Sequence, residues 1–148
     1  MLLPPLGQGG FQAQCGAFWI KAEDRKLVAG FRVEAMHCNP AGVCHGGMMA
    51  TFCDMHMALA AHFEGRFDTM LLPTITLSID YLAPTRLGAW VEARAVLLKT
   101  TRRAVFSSET VLAEGEPVVH ARGIYNIPSS TAAAEQDTGT MLRAYLAR

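Results

Sequence analysis

From residue 74 to residue 81 the chain reads Thr-Ile-Thr-Leu-Ser-Ile-Asp-Tyr, an unbroken alternation of polar and apolar side chains. A period of two belongs to a strand with one covered face. It assigns Ile75, Leu77, Ile79 and Tyr81 to that face and Thr74, Thr76 and Ser78 to the polar one. Stretches 90–99, 103–113 and 118–127 predict three more strands, separated by turns at 99–102 and at Glu114-Gly115-Glu116. Two earlier strands are expected near 17–22 and 27–35, about the polar turn Glu23-Asp24-Arg25. Between the two groups, residues 46–64 are rich in Ala, Met and Leu and apolar nearly all round. That composition predicts a helix buried on most of its surface. The order is β-β-α-β-β-β-β. Consecutive hairpins imply antiparallel pairing, so one curved sheet of about six strands has one long helix to cover its inner face, an α+β arrangement.

The 148 residues suit one domain, and 51% hydrophobic residues suffice for its core. We divide the chain into a lead-in (1–15), the domain proper (16–127) and a tail (128–148) that is rich in Ser, Thr and Ala and ends in a short helix over 141–147. A formal charge of zero argues against bulk attraction to nucleic acid or an anionic membrane, and leaves little repulsion between copies. Residues 1–10 carry two prolines and no Lys or Arg, unlike a secretory signal. The apolar run 48–63 contains Asp54, His56 and His62 and is too short and too polar to span a membrane. A cytoplasmic location is therefore expected. There the four cysteines, Cys15, Cys38, Cys44 and Cys53, are expected as reduced thiols.

Chemistry concentrates in one segment, Asn39-Pro-Ala-Gly-Val-Cys-His45-Gly46-Gly47-Met-Met-Ala-Thr-Phe-Cys-Asp54. The start of a helix presents free N–H groups and a positive partial charge. Glycines leave those groups uncovered, so Gly46 and Gly47 can polarise a carbonyl and stabilise an oxyanion there. The plainer alternative is that they only ease the turn into the helix. Asp54 lies mid-helix in apolar surroundings, where a carboxylate is costly without partners. It is either a structural acceptor or a reacting group, base or nucleophile.

Spacing adds a constraint. Gly47 and Asp54 are seven residues apart and share a helix face, yet their backbones stand ~10 Å apart along the axis. One carbonyl hardly reaches both. Two such helices packed antiparallel about a two-fold axis would bring each N-terminus to the middle of its neighbour. The expectation is a homodimer whose sites combine Gly46 of one copy with Asp54 of the other. Two such dimers pairing into a dimer of dimers is the larger assembly considered, and the spacing does not choose between dimer and tetramer.

The segment resembles the signature of the PaaI-like (phenylacetate-pathway type, HGG-motif) hotdog thioesterases: an Asn, a Gly, His-Gly-Gly, and an Asp nine residues after the His. Asn39, Gly42, His45-Gly46-Gly47 and Asp54 match at each position, and Tyr81-Leu-Ala-Pro84-Thr-Arg-Leu-Gly88 is similar to a second motif of that family. The looser likeness runs from about Ala17 to Ile127. It implies the hotdog fold, a sheet wrapped round a helix, and hydrolysis of acyl-CoA thioesters without a cofactor, CoA being part of the substrate. It further implies that Gly46 supplies the N–H for the carbonyl and Asp54 the base or nucleophile. Asn39 would position water or substrate, and His45 would orient Asn39 or contact the leaving sulfur. Thr74 matches a hydroxyl residue that the family carries early in the strand after the helix. At a positive helix end His45 is expected neutral.

Arg86, Arg102 and Arg103 fall on turns, where they serve either as CoA-phosphate contacts or as ordinary solvated charges. His37, Cys38, Cys44 and His45, or Cys53 with His56, have no zinc-site spacing, so no metal is expected. The rival function is a non-catalytic acyl-CoA-binding hotdog protein, a sensor or accessory subunit.

Overall fold

A computed structural model describes residues 1–3, 10–65, 67, 69–129 and 137–148. Their strands are β1 (Trp19–Glu23), β2 (Lys26–Arg32), β3 (Thr74–Tyr81), β4 (Trp90–Thr100), β5 (Ala104–Ala113) and β6 (Glu116–Asn126), with helices α1 (Gly46–Glu64) and α2 (Thr138–Leu146). The bounds predicted for α1 and β3 are those observed. The other strand ends agree to within three residues, as hairpin turns absorb terminal residues. The strands form one antiparallel sheet in the order β1-β2-β4-β5-β6-β3. Alternate residues such as Phe31, Val91, Val111 and Ala121 face inward and are buried with Phe52, Met57 and Ala60 of α1. The sheet wraps the helix, as the hotdog reading expects. None of the helices among the described residues is long and apolar enough to cross a membrane.

Three local features set where α1 lies. Its start follows extended residues, Val43 bridging Arg86 and Cys44 bridging Cys38, and His45 caps it with a ring nitrogen. Its end is capped by α2: the Arg143 guanidinium donates to the carbonyls of His62, Phe63 and Gly65 at 3.2, 3.0 and 3.2 Å, a cation where the helix dipole is negative. Gly139 makes that contact possible, since a Cβ there would stand 2.1 Å from the His62 carbonyl oxygen. The tail helix is thus packed against the central helix, and it begins three residues earlier than the sequence suggested. In the middle, the buried Tyr125 hydroxyl donates to the Asp54 carbonyl at 3.1 Å.

The expectation for β3 needs correcting. Thr74 pairs with Tyr125 and Thr76 with Ile124, so Ile75 is an extra, bulged residue. A bulge reverses the parity of the strand on its far side. Leu77, Ile79 and Tyr81 lie opposite Gly123, Ala121 and Val119 on the inner face, and so does Thr74, opposite Tyr125. Ile75 instead is 59% exposed. β3 is also the last strand of the sheet, with an unpaired outer edge.

Candidate active site

The N-terminus of α1 is built on His45. Its Nδ1 accepts from the Gly47 N–H at 2.8 Å, so Nδ1 carries the lone pair and, in the neutral ring, Nε2 carries the proton. The Met48 and Met49 N–H groups return to the His45 carbonyl at 2.9 and 3.2 Å. The Gly46 N–H alone among these has no partner within the described residues. This separates the two glycines that the sequence treated alike: Gly46 keeps a free donor, whereas the Gly47 N–H is consumed by the cap. Gly47 as a substrate-binding donor is therefore corrected; its role is to take the cap without a side chain against the imidazole.

Tyr81 closes over this end. Its hydroxyl donates to the Gly46 carbonyl at 2.7 Å, and a Cβ on Gly46 would meet the ring at 3.1 Å. Burial raises the phenol's pKa, so it serves as a donor. Gly46, Cys44, Met49, Tyr81, Pro84 and Thr85 line a cleft of about 370 Å³, in the range of small-ligand pockets. The sequence placed Tyr81 on the inner face but gave it no part in the site. Its position seven residues after Thr74 on the strand crossing α1 was the available signal.

Asp54 lies two turns further along α1. It is half-buried in the single chain rather than enclosed, and the Thr74 hydroxyl donates to its Oδ1 at 2.7 Å. The bulge at Ile75 is what turns Thr74 towards it, against the polar-face assignment. No other side chain among the described residues bonds to the carboxylate, so its remaining lone pairs are open.

Asn39 is engaged in the loop through its side-chain oxygen. Its Oδ1 accepts from the Ala41 and Val43 N–H groups at 3.0 and 3.4 Å, an Asx turn that shapes the loop before α1. His45 does not orient it; the His45 ring is engaged with Gly47. The Asn39 amide nitrogen is left free among the described residues. Arg86 is exposed in the loop that bridges Val43, at the Gly46 end. Arg102 and Arg103 are exposed on the β4–β5 turn, at the Thr74 end, where the Arg103 carbonyl accepts from Ile127 and the Pro73 carbonyl from Asn126. None of the three guanidinium groups is bonded within the described residues.

A second polar centre lies under the site. His56 and Glu109 are fully buried and bond Nδ1 to Oε2 at 2.6 Å, while His56 Nε2 meets the Leu27 carbonyl at 3.0 Å. Burial pulls the His56 pKa down, but the Glu109 charge and these bonds outweigh it and hold it above the ordinary value. His56 is thus a satisfied helix residue, and its partner Glu109 was not singled out from the sequence. Alternation along β5 offered the clue, since it aligns Glu109 with Val105, Ser107 and Val111 on the inner face.

A curved antiparallel sheet wrapped round one long helix defines a hotdog protein. The family described as the thioesterase superfamily matches residues 41–119, more than half of the chain, a span that holds Gly46, Asp54, Thr74 and Tyr81. The chain belongs to this superfamily and is a thioester hydrolase. It is 29% identical to PA0474 of Pseudomonas aeruginosa, whose name as an esterase is provisional, over 76% of this chain and 84% of that protein. It is 30% identical to human acyl-coenzyme A thioesterase 13 over 60% of this chain, an alignment that spans 62% of the human enzyme. The crystal structure of an N-to-D mutant of PaaI, a phenylacetic acid degradation protein of Thermus thermophilus, superposes with a TM-score of 0.69 at 28% identity, covering 80% of this chain and 98% of that one. The PaaI-like resemblance read from the motif agrees with that match.

Proposed function

We propose that the protein hydrolyses acyl-CoA thioesters to the free acid and CoA, at sites built by two copies of the chain. One observation carries the reading: Asp54 and Gly46 are held by opposite ends of the same edge strand, Asp54 by Thr74 and Gly46 by Tyr81. Within one chain the two lie ~12 Å apart along the helix. If two β3 edges pair antiparallel about a two-fold axis, the Thr74 end of one meets the Tyr81 end of the other, and Asp54 comes to the Gly46 of its neighbour. Two features favour this pairing. The β3 edge is open, and Ile75, Tyr81 and Leu82 beside it are 59%, 56% and 56% exposed. Along α1, Met48, Thr51, Met55 and Ala58 form a half-buried stripe at the three- and four-residue spacing of a helix–helix seam.

In this site the Gly46 N–H holds the thioester carbonyl oxygen and stabilises the oxyanion. Asp54, steadied by Thr74, either takes a proton from a water that attacks the carbonyl carbon or attacks it directly, leaving an anhydride for water to cleave. The C–S bond breaks and CoA departs as a thiolate that is then protonated; the His45 Nε2–H is the ring donor free to meet that sulfur. The free Asn39 amide positions the water or the acyl group. Arg86 of one copy converges with Arg102 and Arg103 of the other, cations suited to the CoA phosphates. The acyl-CoA class itself is favoured by the name of the human relative.

Complementation tests the shared site. Gly46→Pro removes the N–H at the first helical position, where proline is tolerated, and Asp54→Asn removes the base. Each variant alone is inactive. Mixed and reassociated one to one, they recover about a quarter of wild-type activity, because half of the dimers are hybrids and each hybrid holds one intact site. Hybrid dimers that stay inactive would overturn the arrangement, and CoA-ester binding with no thiol release from the wild type would favour a binding protein instead.

A further inference from the structure

Cys38 and Cys44 face each other across a single antiparallel bridge in the loop that leads into α1. The hydrogen bonds flanking them run from Asn39 N to the Val43 carbonyl at 2.9 Å and from His45 N to the His37 carbonyl at 2.7 Å. This pattern makes them a non-hydrogen-bonded pair, in which the Cα atoms stand about 4.5 Å apart and the side chains project to one side. A disulfide spans Cα separations of about 4.4–6.8 Å. Both thiols are free in the structure, and each rests only on a backbone carbonyl, Cys38 on Glu34 at 3.5 Å and Cys44 on His45 at 3.9 Å.

We propose that Cys38 and Cys44 are a redox-active pair which a low-molecular-weight disulfide such as oxidised glutathione converts into an intramolecular disulfide, and that this bond slows turnover. Cys38 is half-exposed and Cys44 buried. Burial, with the neighbouring Cys38 adding to it, pushes the Cys44 thiol up to about 11, so the Cys38 thiolate attacks first. It forms a mixed disulfide and releases one glutathione thiolate. Cys44 then loses its proton to water and displaces the second thiolate from the Cys38 sulfur. Two protein thiols are oxidised to one disulfide and one glutathione disulfide is reduced to two thiols.

The consequence follows from position. Cβ atoms of such a pair stand about 4.5 Å or more apart, and a disulfide draws them to about 3.8 Å. Residue 44 is the last before the cap, lines the cleft beside Gly46 and donates its N–H to the Thr85 carbonyl at 2.7 Å. Drawing it towards Cys38 shifts the segment that aims the Gly46 N–H. The effect on turnover rests on the proposed role of Gly46; the bond itself does not.

The native protein is incubated with oxidised glutathione, then analysed by mass spectrometry and assayed for thioesterase activity. We expect the wild type to lose two hydrogens, with Cys38 and Cys44 protected together from alkylation. Turnover falls by about tenfold, as misplacement approaching 1 Å can cause, and dithiothreitol restores both. Cys44→Ser stops at a stable glutathione adduct on Cys38. Retention of all thiols by the wild type, a stable adduct on it, or a bond to Cys15 or Cys53 would overturn the pairing. A disulfide formed with unchanged turnover would overturn its effect on the site. A reduced protein without thioesterase activity counts against the functional reading alone, and the mass shift still decides the pairing.

Discussion

Two carboxylates meet α1 within a turn of each other, and their surroundings could hardly differ more. Asp54 is half-buried, beside an open sheet edge, and bonds to a neutral hydroxyl. Glu109 is fully enclosed and bonds to an imidazole that itself reaches a backbone carbonyl. A reacting carboxylate needs spare lone pairs and a route to substrate, and Asp54 has both. Glu109 keeps an unpartnered Oε1 among the described residues but is sealed in the core with no route to substrate, and instead ties β5 and β2 to the middle of the helix. The difference predicts that chemistry and stability separate cleanly between the two acids.

The sharpest break would come from Asp54→Asn. Loss of a general base costs about 10²–10⁴-fold in rate, while the unfolding free energy stays within about 0.5 kcal/mol, as for an open site. Near-normal turnover would make Asp54 structural and erase the contrast. Glu109→Gln should do the reverse. Breaking a buried pair costs about 3–5 kcal/mol in chemical denaturation, with activity per folded molecule largely kept. Joint replacement of His56 and Glu109 by leucines should regain most of that stability; failure to do so would mean the pair contributes more than its mutual neutralisation.

Smaller effects refine the picture. Thr74→Val removes one hydrogen bond to a charged group, worth about 1.5–3 kcal/mol, and should lower kcat by about 10–100-fold, with Thr74→Ser near wild type. An unchanged kcat in Thr74→Val would place Thr74 outside the site. The two buried histidines of α1 offer the mildest test. Burial pulls His62 down to about 4, below an unfolded value of about 6.5. The unfolded chain therefore binds the proton first, and stability that is complete above about pH 6.5 is lost as the pH falls towards 4. His62→Phe should flatten that slope in pH-dependent denaturation. His56, held above its ordinary value by Glu109, contributes in the opposite sense: its stability is present below about pH 6.5 and is lost as the pH rises through the folded value, a slope that Glu109→Gln should abolish.

Periodicity and local motifs carried much of this protein. The alternation at Thr74–Tyr81 and the apolar run at Gly46–Glu64 gave both elements their observed bounds, because such patterns follow from one element covering another. The spacing of Asn39, Gly42, His45-Gly46-Gly47 and Asp54 pointed to the start and middle of one helix as the places for chemistry, since these positions are set by the helix itself. Tertiary structure decided what depends on partners distant in sequence. A one-residue bulge at Ile75, visible only through the pairing with β6, turned Thr74 towards Asp54. The His45 ring chose Gly47 over Asn39, which left Gly46 as the glycine with a free N–H. Glu109 acquired meaning only when β5 brought it across 53 residues of chain to His56. Pairing register and buried polar contacts arise from the packing of whole elements, and no local window of sequence contains both partners.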